Sequence, residues 1–281
     1  MALGSSKPVC YYQFENNAND TSNAGNSMNG TIVTGGSFST AAKVRGSYSF
    51  LNSDTGGTGC IHSCGSTSDV SFLMTGVFTL SWWTKRSATG ATEYVLGTNT
   101  SSPSYAIAVK YAGTQLGLLR YATGGAWTYS DTSYPGFADT DWHHLVITCD
   151  GSGGNINFYA DGSKHGATKT APSFPGSTAN TCAMMLGSIP DGSSGVAADC
   201  TAPWGANFLG YMDEVSFWDA AATAAEVTSL YNSGGGLDLS DGLASAGLPS
   251  GINSVSGIAS DDIEAIIGVD ASSVKTIIGV S

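Results

Sequence analysis

Strand-like segments follow one another along this chain with nothing helical between them, and no other feature constrains the fold as tightly. Residues 9–15 (VCYYQFE), 31–34, 47–51 (SYSFL), 77–84 (VFTLSWWT), 93–97, 105–111, 115–121, 127–129, 142–149 (WHHLVITC), 155–160 (NINFYA) and 183–187 each read as a strand. They are rich in aromatic and β-branched residues and are bounded by Gly, Asn, Asp and Ser. In 77–84, Phe78, Leu80 and Trp82 share one face and Trp83 takes the other. Residues 150–154 and the Asp161–Gly162 pair supply tight turns, and the residues after them read as a loop. Without helical spacers a parallel α/β arrangement is excluded. The expected class is all-β, an antiparallel sandwich of two sheets.

The stretch 208–234 (FLGYMDEVSFWDAAATAAEVTSLYNSG) closes this series. Phe208, Tyr211, Met212, Val215, Phe217 and Trp218 form a last long strand. Thr223 then caps a helix, with Glu226 placed for a capping box. Val227, Leu230 and Tyr231 make one apolar stripe, and residues 234–236 are glycines that stop the helix. Asp213 and Glu214 stand side by side in the strand. Strict alternation sends them to opposite faces, whereas a glycosidase needs two carboxylates about 5–10 Å apart across a groove. No E-x-D-x-x-E strand pattern, nucleophile elbow, zinc-protease helix or phosphate-binding loop occurs. A non-enzymatic protein is expected.

Apolar residues make up 41% of the 281, enough for a sizeable core, while charged residues are only 11%. The surface must therefore be built from Ser, Thr, Asn and Gly. Twenty-two acidic residues against ten basic give a net charge of −12. That balance repels phosphate backbones, so nucleic acid is not an expected partner, and it suits divalent cations. No apolar run is long enough to insert into a membrane. The start, MALGSSKPVC, has no apolar h-region, so no signal peptide is expected. Such a polar surface with six cysteines suits a protein made in a cytoplasm and built for the outside, as a virion component is. A secreted protein with its signal trimmed has the same look.

Cys60-Ile-His-Ser-Cys64 reads as a small disulfide loop, with free thiols or half a zinc site as alternatives. No spacing among Cys10, His143, His144 and His165 completes a zinc set. Cys182 and Cys200 flank a Pro/Gly/Ser loop that a disulfide would constrain. Cys149 fits a core strand. His143 and His144 fit structural positions, one facing in and one out. Trp127, Tyr129, Tyr134, Trp204 and Tyr94 lie in or near loops, where aromatic faces stack on sugar rings. Trp204, in CTAPWGAN, is the best single candidate for a glycan contact, with Trp127 and Tyr129 beside it.

From residue 235 the character of the chain changes. Residues 235–254 read as a Gly/Ser-rich linker, and 255–281 as a small helical appendage. GIASDDIEAII (257–267) and GVDASSVKTII (268–278) repeat with a period of 11. Each unit places apolar residues on one helical face: Ile263, Ile266 and Ile267, then Val274, Ile277 and Ile278. Two-turn helices are too short to stand alone, so they pack on the sandwich or on another chain, as a docking or oligomerising tail. Asp261, Asp262, Glu264 and Asp270 against Lys275 argue against DNA.

Five pieces, YYQFENNANDTSNAGNSMNG, GSYSF, FTLSWWTK, WHHLVITCDGSGGNINFYADGSKHG and GYMDEVSFWDAAATAAEVTSLYNSG, resemble in order the laminin-G-like, concanavalin-A-like jelly-roll family. The resemblance spans about 9–234 and implies that 1–234 is one jelly-roll sandwich with a short helix after the last strand. It also implies a calcium ion held by an early loop and the closing strand, here Asp20, Asn23 and Asp213. Lectins, adhesion modules and virion parts share this fold. The C-terminal repeat is similar to short tail repeats in structural proteins of tailed phages. The expectation is a phage virion structural protein, a capsid decoration or tail-appendage subunit. Its tail would join other virion proteins or further copies of itself, and its sandwich would adhere to cell-surface glycans. The alternative is a secreted carbohydrate-binding module that uses loop aromatics and calcium.

Overall fold

The computed structural model describes residues 3, 7–22, 24–25, 28–32, 35–55, 60–64, 68–98, 106–122, 126–133, 139–174, 184–190 and 206–240. The strands are β1 (Cys10–Tyr12), β2 (Thr31–Ile32), β3 (Gly36–Ser39), β4 (Ser49–Asn52), β5 (Ile61–Cys64), β6 (Val77–Arg86), β7 (Thr92–Gly97), β8 (Ala106–Ala112), β9 (Gln115–Ala122), β10 (Ala126–Ser133), β11 (Trp142–Asp150), β12 (Asn155–Ala160), β13 (Ser163–Thr170), β14 (Met184–Leu186) and β15 (Gly210–Trp218). A helix, α1 (Ala224–Tyr231), follows the last strand.

Two antiparallel sheets face each other. The first has eight strands, ordered β13-β12-β11-β6-β15-β4-β3, with β1 also paired to β15. The second has seven, ordered β10-β9-β8-β7-β14-β5-β2. Alternation decides which residues fill the space between them. Phe78, Leu80 and Trp82 of β6, Leu145, Ile147 and Cys149 of β11, and Ile107, Val109 and Tyr111 of β8 meet in one core. The intervening residues of the first sheet build a second apolar layer: Tyr11, Val146, Tyr159 and Trp218 pack beneath Val227 and Leu230 of α1. Trp83 also lies on that outer side, its ring stacked on Tyr231. All-β and sandwich expectations therefore hold, with one short helix as a third layer on one sheet.

The helix begins as its capping residues dictate. The Thr223 hydroxyl accepts from the Glu226 N–H at 3.2 Å, and the Glu226 carboxylate accepts from the Thr223 N–H at 2.7 Å. Asn232, at φ 48°, ends the helix in the left-handed region.

β15 runs through the middle of the first sheet. One side pairs with β6 along its whole length. The other side changes partner, from β4 at Gly210–Met212 to β1 at Val215–Phe217. The register against β6 slips between Asp213 and Ser216, and Glu214 takes a φ of 48°. This bulge sits where β15 passes from one partner to the other. At Gly210 the strand lies so close to β6 that a Cβ would stand 2.2 Å from the Lys85 carbonyl oxygen, so only glycine fits.

Three expectations are corrected. Residues 163–170, read as loop, are an edge strand: SKHGATKT has almost no apolar residue, because nearly every position is exposed or partly so. Residues 61–64, also read as loop, form β5 between β14 and β2. Two residues expected in the linker pack on the sandwich instead: Leu239 is buried at 3% exposure in the layer under α1, and Leu237 packs against it. Apolar leucines that can reach an apolar layer are driven into it. The rest of that linker and the appendage at 255–281, including Ile263, Ile266, Ile267, Val274, Ile277 and Ile278, lie outside the described residues.

Candidate functional site

The most polar stretch of the closing strand was expected to split its two carboxyls between opposite faces. The bulge prevents that. Asp213 stands opposite Trp83 on the outer side of the sheet, and Glu214 meets Tyr11, an outer-layer residue. Asp213 is fully buried, and its Oδ2 accepts the Val44 and Arg45 N–H groups at 2.8 and 3.3 Å while Oδ1 accepts that of Glu214 at 3.0 Å. It replaces the strand partner that β15 lacks where β4 stops and β1 has not begun. Burial lifts its pKa to about 7 against the pull of those three donors.

Glu214, 5% exposed, accepts the Tyr11 hydroxyl, which also contacts the Leu237 carbonyl at 2.9 Å. Burial first, then the charge of Asp213, holds Glu214 well above the usual carboxylate range. The same burial, with Glu214 beside it, holds the Tyr11 phenol far above its ordinary value. Both acids are thus closed off beneath the chain that follows α1. No glycosidic bond can reach them, so the pair is a structural latch.

The two described residues of the expected calcium set, Asp20 and Asp213, serve backbone groups. Asp20, like Asp213, directs its carboxylate at backbone donors: Oδ1 accepts from Tyr11 at 3.0 Å and Ser22 at 2.9 Å, and Oδ2 from Met28 at 3.3 Å. Each carboxylate thus accepts from three backbone N–H groups. Asn23 lies outside the described residues. Among the described residues no group of three His, Cys, Asp or Glu could hold a metal.

The cysteine loop is not a disulfide loop. Cys60 is a buried free thiol, its pKa pushed up to about 12 by burial. An extended strand rises about 3.3 Å per residue, so β5 carries position 64 far beyond disulfide reach of position 60. Cys149 is also a buried free thiol, and Cys10 is buried. Cys182 and Cys200 lie outside the described residues.

The two histidines divide as alternation requires. His144 is 2% exposed, with Nε2 at 2.9 Å from the Ser81 hydroxyl and its ring 5.1 Å from Trp83. Burial drives its pKa down to about 3, so the imidazole is neutral. His143 lies between two acids, Nδ1 at 2.9 Å from Asp161 and Nε2 at 2.9 Å from Asp139. The Asp161 hydrogen bond chiefly, and Asp139 after it, lifts its pKa to about 9, so it is charged at neutral pH.

The glycan candidates fall on the second sheet. Residues paired directly in an antiparallel ladder share a face. Trp127 faces Tyr121 and Tyr129 faces Leu119 across β10 and β9. Leu119 faces Ala108 across β9 and β8, and Lys110 faces Tyr94 across β8 and β7. Ala108, Leu119 and Ile189, with Tyr94 against them, form an apolar cluster separate from the inter-sheet core. The backbone register therefore puts positions 127, 129 and 121 in line with Leu119 and Tyr94. The side chains of Trp127, Tyr129 and Tyr121, and all of Tyr134 and Trp204, lie outside what the structure describes.

Sequence reasoning missed one buried pair. The Arg86 guanidinium meets Glu93 at 2.8 and 2.9 Å and lies 4.8 Å from the Tyr111 ring centroid, with both side chains below 5% exposure. Position 86 has the inward parity of Phe78, Leu80 and Trp82, and that was the legible signal.

A family model described as the Concanavalin A-like lectin/glucanases superfamily matches residues 58–228. Among solved structures, one similar chain is domain 4 of AbnA, an extracellular arabinanase from Geobacillus stearothermophilus, in complex with arabinotriose. It is 18% identical with a TM-score of 0.57, covering 79% of this chain and 97% of that one. Another is the binding domain of botulinum neurotoxin DC in complex with rat synaptotagmin II, at 13% identity and a TM-score of 0.58, covering 83% of this chain and 52% of that one. A third is the binding domain of Paraclostridial mosquitocidal protein 1, at 17% identity and a TM-score of 0.55, covering 82% and 52%. The chain thus spans about half the length of the two toxin binding domains. Identities this low speak to the fold alone. No curated protein matches the chain.

Proposed function

Because the chain belongs to the concanavalin A-like lectin/glucanase superfamily, we propose that it is a non-catalytic binding module for glycans, with the outer face of the second sheet as its binding surface. One observation carries this reading: the strand register gathers Trp127, Tyr121 and Tyr129 on one face of β9 and β10, in line with Leu119 and Tyr94. Aromatic rings offer flat apolar area to the C–H faces of sugars at low entropic cost. The buried, backbone-bound carboxyls of the closing strand support a non-catalytic role. The arabinotriose complex of domain 4 of AbnA supports saccharide as the ligand class, and the synaptotagmin complex of the toxin binding domain makes a protein receptor the competing class.

A glycan array on the full chain tests this. The expected result is a defined set of saccharide hits, lost in Trp127→Ala and Tyr129→Ala and unchanged by chelator. An array without hits, or hits indifferent to both substitutions, overturns it.

The setting on a phage virion is a further proposal and rests on the 11-residue repeat at 257–278. In that setting the tail anchors the module to other virion proteins or to further copies of itself. Deleting 251–281 is expected to abolish particle incorporation or self-association and to leave the thermal unfolding of the sandwich unchanged. Retained assembly would remove the proposal.

A further inference from the structure

A shallow groove of about 480 Å³ lies on the opposite side of the molecule's first sheet, where the β12–β13 turn meets the C-terminal end of α1. Its walls include Asp161, Ser163, Ser229, Tyr231, Asn232 and Leu237. We propose that this groove is a second binding site, one that takes a neutral sugar residue. Its volume is in the range of small-molecule sites. The proposal is built on the groove's own chemistry and does not need the aromatic face of the other sheet.

The groove is preorganised on both walls. On one, the backbone N–H of His144 donates to Asp161 Oδ1 at 3.0 Å, and His143 Nδ1 is 2.9 Å from Oδ2. Asp161 has a φ of 50° and Gly162 a φ of 76°, so the turn is left-handed throughout. A Cβ at Gly162 would stand 2.9 Å from the Tyr231 ring, which shows how tightly turn and ring are fitted. On the other wall, Tyr231 is stacked on Trp83 with centroids 5.6 Å apart and planes 19° off parallel, and Trp83 in turn packs on His144. Beyond it, Asn232 and Ser233 hold φ values of 48° and 53°, and Asn232 Nδ2 donates to the Gly236 carbonyl at 2.8 Å. Non-glycine residues stay left-handed only where their surroundings over-determine them, and they gather at functional sites.

The lining selects the ligand class. A carboxylate, an amide, three serine hydroxyls and a threonine hydroxyl suit the alternating donors and acceptors of vicinal hydroxyls. Tyr231 and Leu237 supply the small apolar area that a sugar's C–H groups need. Asp161 is ion-paired with His143, which Asp139 shares, and the chain's net charge of −12 turns anions away. What remains attractive is a neutral polyhydroxylated ligand.

The test is titration of the ¹⁵N-labelled full chain with cellotriose and arabinotriose, with ethanolamine and glucuronate as charged controls, followed by amide shifts. The expected result is saturable shifts at Gly162, Ser163, Asn232 and Ser233 with a neutral trisaccharide. Ser229→Trp, at an exposed helix position, is expected to fill the groove and weaken binding about tenfold or more, about 1.4 kcal/mol. Ser163→Tyr, at the exposed start of β13, gives the same outcome from the other wall. Trp127→Ala is expected to leave these shifts in place. Absence of shifts at the four amides, equal shifts with ethanolamine or glucuronate, or binding that survives both filling variants overturns the inference. Trisaccharide shifts confined to β8–β10 would overturn it while supporting the aromatic face.

Discussion

His143 offers the sharpest prediction, because it lies 2.9 Å from each of two carboxylates. Unfolded, its imidazole titrates near 6.5; folded between Asp161 and Asp139 it titrates near 9. The folded value is the higher one, so the stabilisation is complete below pH 6.5 and is lost as pH climbs through 9. At about 1.4 kcal/mol per pH unit the difference amounts to about 3 kcal/mol. Asp139 is about half exposed, at 48%, and solvent screens its share, leaving about 2 kcal/mol. The perturbation is His143→Gln, which keeps a hydrogen-bonding side chain and removes the charge. Urea unfolding from pH 6 to pH 10 is the assay. Buried Asp213 also loses stability with rising pH, its folded pKa being about 7, but it does so in both proteins. The wild type minus variant difference therefore isolates His143 and is expected to shrink by about 2 kcal/mol between pH 6 and pH 10. Parallel pH profiles, or a difference that grows with pH, would refute the reasoning.

Other outcomes follow from the same geometry. Tyr11→Phe removes the hydroxyl shared by Glu214 and Leu237 and is expected to cost about 2 kcal/mol in thermal unfolding; combining it with Glu214→Gln should cost less than the sum of the single changes. Arg86→Met strands the buried Glu93 carboxylate and should cost about 3–5 kcal/mol, most of it recovered when Glu93→Leu is added; equal instability of the single and double variants would contradict this. Cys60 and Cys149, with thiol pKa values raised to about 12 and about 11 by burial, should resist iodoacetamide at pH 8 until the protein is denatured.

The fold was legible wherever burial wrote a period into the residues. Alternation marked β6, β11 and β12 almost to the residue, and the Thr223–Glu226 pair marked the helix start. Legibility failed where exposure erased the period. β13 is an edge strand of Lys, Ser and Thr, and its composition is that of a loop. β5 is four residues long, with Gly56, Gly57 and Gly59 just before it and Gly65 just after. The site was less legible than the fold. Period-2 reasoning separated Asp213 from Glu214, yet no residue type announces a bulge that requires a left-handed glutamate. The groove at Asp161 is built by two turns 70 residues apart in sequence (162 and 232), and only the packing of α1 brings them together. The aromatic face shows the converse case: Trp127 and Tyr129 stood out as residues, but only the ladder with β9 shows which neighbours they share.

The central place of β15 also dictates when this protein can fold. β6 pairs with β11 on one side and waits on the other for a strand that begins at Gly210. β1, almost at the start of the chain, waits for the same strand. During synthesis, therefore, the hairpins of the second half can form while the middle of the first sheet cannot. Until residue 218 has been made, VFTLSWWT presents an unpaired edge rich in aromatic and β-branched residues, and such edges are where chains join one another wrongly. A chain interrupted anywhere before Gly210 would keep that edge open for good. Sheet closure, and with it safety from aggregation, waits until β15 has been made.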